Sequence, residues 1–135
     1  PKIKQDYGLK THYFGTNRDD LSLALLYSAA DVFVAPSIEE NFSATVFESL
    51  SCGTPVVAFN IGGMPDMILH EKNGYLVCPF DIDDMVKGIA WVLKEGPKEL
   101  LSKNARNFVE NECTLKIQAE RYKAIYQSIL NGCKD

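Results

Sequence analysis

PSIEENFSATVFESLSCGTPVVAFNIGGMPD, from Pro36 to Asp66, is the stretch that decides how this chain folds. It follows an apolar run, Asp31 to Ala35 (DVFVA), which Pro36 ends. Helical periodicity then predicts a helix from roughly Ala44 to Cys52, stopped by Gly53, where a left-handed residue commonly ends a helix. Thr54 to Phe59 (TPVVAF) is a second apolar run, continuous and not alternating, as expected of a strand buried on both faces. Gly62-Gly63 then leads to Pro65, placed as the first residue of another helix because proline loses nothing there.

The same rhythm extends outward. Upstream, Thr11 to Phe14 is a strand-like run closed by Gly15. A helical pattern follows, with Asp19 or Asp20 near its start and Leu21, Leu25, Leu26 and Ala29 on one face. Downstream, Asn73-Gly74 predicts a turn before Tyr75 to Cys78. Asp81 then opens a helix with Met85, Ile89, Val92 and Leu93 on one side. Two more helical stretches close the chain, Pro97 to about Asn111 and Thr114 to Leu130. In the second, Leu115, Tyr122, Ile125, Tyr126 and Ile129 fall in helical register, and the stripe of Tyr122, Ile125, Tyr126 and Ile129 is read as core packing. Four alternating strand-helix steps predict an α/β fold, a doubly wound parallel sheet of Rossmann-like type with extra C-terminal helices, built as one domain over residues 1–135.

Composition bounds the function. The 135 residues are 46% hydrophobic and 24% charged, which suits a compact soluble domain. Net charge is −4, with Lys and Arg scattered and not gathered in a stripe, so no nucleic-acid partner is expected. Cys52, Cys78, Cys113 and Cys133 are too widely spaced for a zinc knuckle or a redox pair and are read as reduced thiols of a cytoplasmic protein. No metal cluster and no cofactor is expected. No apolar run reaches the roughly 18 residues of a membrane span, so any peripheral membrane contact is expected through residues outside this chain. His12 and His70 have no recognisable partner arrangement, and Cys52 reads as a small packing residue at a helix end. Pro1 opens directly onto a polar segment, which is read as a cut from a longer protein.

The 36–66 segment joins strand ends to helix starts, the edge at which open parallel sheets bind ligands. Glu40 lies in the loop and Glu48 just over one turn into the helix, with seven residues between them, so they flank the amides of Asn41, Phe42, Ser43 and Ala44. This arrangement suits a nucleoside diphosphate sugar. One carboxylate accepts from a ribose diol, free amides receive the diphosphate, and the other carboxylate holds sugar hydroxyls. The bland reading stays open beside it: two solvated carboxylates near a positive helix end, Gly62-Gly63 as an ordinary loop, and Asp66 as a first-turn helix carboxylate.

The segment resembles the signature of family 4 retaining glycosyltransferases, whose two facing Rossmann-like domains form the GT-B fold. The resemblance rests on Phe14-Gly15, the 30–37 run ADVFVAPS, the Glu40 and Glu48 pair, the 51–57 run SCGTPVV, Gly62-Gly63, and Asn73-Gly74 followed by Asp81. It implies the donor-binding C-terminal domain of a hexosyltransferase acting in polysaccharide or lipopolysaccharide synthesis. Glu48 would bind the donor ribose, and Glu40 would touch the donor sugar and assist the reaction at its anomeric centre. Asn41, Phe42, Ser43, Ala44, Gly62 and Gly63 would contact sugar and phosphate. The donor would be a UDP-, GDP- or ADP-sugar, and the acceptor a glycan or lipid-linked chain bound by an N-terminal domain absent here.

By the same resemblance the basic diphosphate clamp lies before Pro1, so the 135 residues alone are expected to transfer no sugar. The enzyme is expected in the cytoplasm, with the inner face of the membrane as its alternative place. Two departures stand out: Asn41-Phe42-Ser43 where many relatives have Gly-Phe-Gly, and Asp66 where they have Glu. Asn41 is expected to keep a left-handed geometry there. Arg18 is a minority candidate for phosphate contact. The alternatives are a non-catalytic nucleotide- or sugar-binding module and a GT-B nucleotide-sugar epimerase.

Overall fold

A computed structural model describes Gly8, residues 10–15 and residues 19–132. Pro1, Arg18 and Cys133 lie outside the described residues. The elements run α1 (Asp20–Ala29), β1 (Phe33–Ala35), α2 (Ala44–Ser51), β2 (Val56–Phe59), α3 (Met64–Met67), β3 (Gly74–Val77) and α4 (Ile82–Ala90). A π turn at Trp91–Glu95, α5 (Lys98–Glu112) and α6 (Leu115–Gly132) complete the chain.

The three strands form one parallel sheet in the order β1-β2-β3, with Phe33 opposite Val56 and Val56 opposite Gly74. Because side chains alternate across a strand, β2 feeds both faces. Val56 and Ala58 join Val46, Leu50, Met64, Met67, Ile68, Ala105 and Val109 on one side. Val57 and Phe59 join Val77, Met85, Val92 and Leu101 on the other. All four β2 residues are buried, which explains the unbroken apolar run, and each of Val56, Val57 and Phe59 contributes about 1.5–3 kcal/mol by leaving water.

Four expectations are corrected. Residues 11–14 form no strand, so the sheet has three strands among the described residues. Tyr13 and Phe14 are exposed, and a run of strand-forming residues needs a covered face to be held in a sheet. On α1, Leu21 and Leu25 are exposed, so the predicted face is largely uncovered. Leu93 also points to solvent at 50% exposure, since it lies about 80° round the helix from Met85, at the edge of the stripe that buries Met85 and Val92. The α6 stripe is no core at all: Leu115, Tyr122, Ile125, Tyr126 and Ile129 are all exposed and α6 buries no residue. Periodicity shows which side of a helix is apolar, and only a packed neighbour makes that side a core.

Helix caps match the sequence closely. Asp19 caps α1 through Ser22 N at 2.9 Å, and Asp81 caps α4 through Asp84 N at 3.0 Å. Pro65 sits one place later than expected, since α3 begins at Met64.

Candidate functional site

The loop that leaves β1 runs from Pro36 along the carboxyl edge of the sheet to Ser43, the N-cap of α2. Ser43 is buried, and its hydroxyl pairs with Thr45 Oγ1 at 3.1 Å in place of a helix amide. Unlike α1 and α4, α2 therefore begins without a side-chain cap. Its first-turn N–H groups point outward with the positive end of the helix dipole behind them, at an edge where an anion can approach.

Glu40 lies ahead of this helix end, with its Oε1 accepting from Asn41 N at 3.2 Å. Glutamate at 71 and phenylalanine at 80 are the non-glycine residues with positive φ among those described, so the expected left-handed Asn41 is corrected. Ser43, at φ −80° and ψ 113°, adopts ordinary extended backbone. The loop therefore reaches its shape without the conformations that would favour glycine at 41 or 43.

The glycine requirement falls on the opposite wall. Gly62 has φ +49°, and a Cβ placed there would lie 1.7 Å from the Glu40 carbonyl oxygen. A Cβ at Gly63 would lie 2.0 Å from the Asn41 carbonyl oxygen. The loop after β2 is thus pressed backbone to backbone against the loop after β1. Gly62 and Gly63 are more than an ordinary connection: they let the two loops make one continuous surface carrying Glu40 at the mouth of α2.

Glu48 lies one turn inside α2, half-buried, and faces α1. Tyr27 Oη donates to Glu48 Oε2 at 3.2 Å. The tyrosine is itself anchored: Thr54 Oγ1 donates to its carbonyl at 2.6 Å, and its ring meets Phe33 edge-on at 5.4 Å. Burial first, then the neighbouring Glu48 charge and hydrogen bond, push the Tyr27 hydroxyl up to about 12, so it remains a donor at neutral pH. Tyr27 was not singled out in the sequence, where it reads as one more residue of an apolar helix; its only signal was a hydroxyl in the LALLY run.

Asp66 is exposed in the first turn of α3, as the helix-start reading expected. It lines a groove of about 700 Å³ with Phe42, Phe47, Phe108, Cys113 and Tyr122, separate from the Glu48 face. Cys52 is the C-cap of α2. His70 is structural: its Nδ1 accepts from Leu76 N at 3.1 Å and its ring lies against Tyr75. Cys52, Cys78 and Cys113 are free thiols. Among the described residues no three His, Cys, Asp or Glu side chains are grouped to hold a metal ion, and no helix is long and apolar enough to cross a membrane.

A family described as glycosyl transferases group 1 matches residues 2–111. The sulfoquinovosyl transferase of Arabidopsis thaliana is 36% identical over 125 residues, covering 87% of this chain and 24% of that protein. Sucrose-phosphate synthase from Thermosynechococcus elongatus superposes with a TM-score of 0.72 at 32% identity, covering 82% of this chain and 28% of the other. Anabaena HepE, solved in complex with UDP-glucose, gives a TM-score of 0.67 over 78% of this chain and 30% of its own; at 23% identity that likeness speaks for the fold alone. These neighbours have the GT-B fold. The chain thus spans about a quarter of the length of the Arabidopsis transferase and of sucrose-phosphate synthase.

Proposed function

The chain belongs to the glycosyl transferases of group 1, and from that premise we propose that it supplies the donor side of a retaining hexosyltransferase site. The donor is a nucleoside diphosphate sugar. Glu48, through the oxygen not engaged by Tyr27, accepts from the ribose diol, while the uncapped amides at Ser43 and Ala44 receive the diphosphate. Glu40, with Asn41 and Phe42 beside it, faces the sugar, and Gly62 and Gly63 hold the opposing backbone close to the same ligand.

As the glycosidic bond to the diphosphate breaks, negative charge grows on the leaving oxygens and the sugar becomes oxocarbenium-like. The helix-end amides meet the first charge without a bound metal, and the Glu40 carboxylate stabilises the second. The acceptor, a glycan or lipid-linked chain of polysaccharide synthesis, is taken by a part of the protein beyond these residues. Transfer takes place on the cytoplasmic side, where nucleotide sugars are available. One observation carries this reading: the uncapped start of α2 has one carboxylate, Glu40, ahead of it and another, Glu48, one turn inside it.

Calorimetric titration with UDP-, GDP- and ADP-sugars tests it. One donor class should bind, and Glu48→Ala should weaken that binding about 10- to 100-fold, the worth of a charge-assisted hydrogen bond or two. Equal affinity in the two proteins would remove Glu48 from the ribose.

A further inference from the structure

We propose that Tyr27 is a positioning residue for donor recognition: its hydroxyl fixes the Glu48 carboxylate so that one oxygen is presented to the ribose diol. The inference rests on the ribose assignment of Glu48 given above. A glutamate on a helix has three rotatable side-chain bonds, and each arrangement it samples dilutes the one that binds. Here Oε2 is engaged by Tyr27 Oη at 3.2 Å, which leaves Oε1 as the free acceptor.

Tyr27 can act as a fixed post because it is held from three directions. Its backbone belongs to α1, its carbonyl accepts from Thr54 Oγ1 at 2.6 Å, and its ring packs edge-on against Phe33 with planes 89° apart. Thr54 is in turn tied to α2, since its carbonyl accepts from Ser49 Oγ at 3.1 Å. Tyr27 and Glu48 are therefore referenced to the same short piece of backbone, and α1 cannot shift against α2 without breaking one of these links. A hydroxyl that stays protonated is also needed, and burial first, then the Glu48 charge, discourages its ionisation. Phenylalanine at 27 would keep the ring packing and remove only the post.

The experiment compares affinity for UDP with affinity for 2′,3′-dideoxy-UDP in the wild type, Tyr27→Phe and Glu48→Ala, with melting temperature measured alongside; the GDP or ADP pair serves if that base binds. Wild type should prefer the ribonucleotide, Glu48→Ala should lose the preference, and Tyr27→Phe should reduce it roughly tenfold while melting within a few degrees of wild type. A purely structural role would weaken both nucleotides equally and leave their ratio unchanged. If wild type and Glu48→Ala behave as expected but Tyr27→Phe keeps the full ratio, the positioning role is overturned and the ribose assignment stands. If wild type shows no preference, or Glu48→Ala retains it, the ribose assignment fails and takes this inference with it.

Discussion

Gly62→Ala would place a methyl group where the two loops of the candidate site already touch. The added Cβ lies 1.7 Å from the Glu40 carbonyl oxygen and 2.9 Å from its carbonyl carbon, whereas real Cβ contacts stay beyond 3.0 Å. The loops must therefore part by at least about 1.3 Å, and the neighbour that has to move is backbone, not the end of a flexible side chain. Alanine must also hold φ +49°, which costs roughly 1–2 kcal/mol by itself. With the loop displacement the total should reach about 2–4 kcal/mol, or a fall in Tm of roughly 7–14 °C for a domain of this size.

Function should suffer more than stability. Glu40 and the mouth of α2 depend on that loop contact, and with Glu40 in the role proposed above a shift of about 1 Å would cost on the order of 100-fold in rate. The assay pairs thermal melting with donor titration and, on the intact transferase, turnover. Donor affinity and turnover within about threefold of wild type in a folded Gly62→Ala protein would refute the coupling of the two loops.

Asn73→Ala should lower stability by about 2–4 kcal/mol, a Tm drop of roughly 7–14 °C, because Asn73 is fully buried and its side chain serves both Leu69 N at 2.7 Å and Met67 O at 3.1 Å. Donor affinity of the folded fraction at low temperature should be little changed. Alkaline titration should reveal Tyr27: a hydroxyl whose folded pKa is raised to about 12 from 10.0 lends stability that is complete below pH 10 and is lost as pH climbs from 10 towards 12. Tyr27→Phe should show a shallower fall in Tm across that window, and an identical slope in both proteins would argue against the Tyr27–Glu48 bond.

How far the sequence reaches can be judged element by element. The helix and strand around the Glu40–Glu48 segment were legible because their signals are local: Pro36 ends a run, Gly53 ends a helix, and the unbroken VVAF of β2 states that both faces are covered. The caps at Asp19 and Asp81 were legible for the same reason, since the cap and its amide lie three residues apart. Thr11 to Phe14 and the α6 stripe were misread because apolar content specifies a surface that wants cover without saying whether cover is present. Leu93 was misread because it sits at the edge of its apolar stripe, where the helical wheel does not say whether a neighbour covers it.

At the site the division is similar. Sequence alone placed two carboxylates around a helix start and put two glycines in the next loop, since these depend on spacing along one short stretch. It also identified the family to which they belong. Tertiary structure decided what those residues face. It moved the glycine requirement from Asn41 and Ser43 to Gly62 and Gly63, where carbonyl oxygens of another loop leave no room for a Cβ. It also brought Tyr27 to Glu48 across 21 residues, a partnership set by the packing of α1 on α2 and written in neither segment alone.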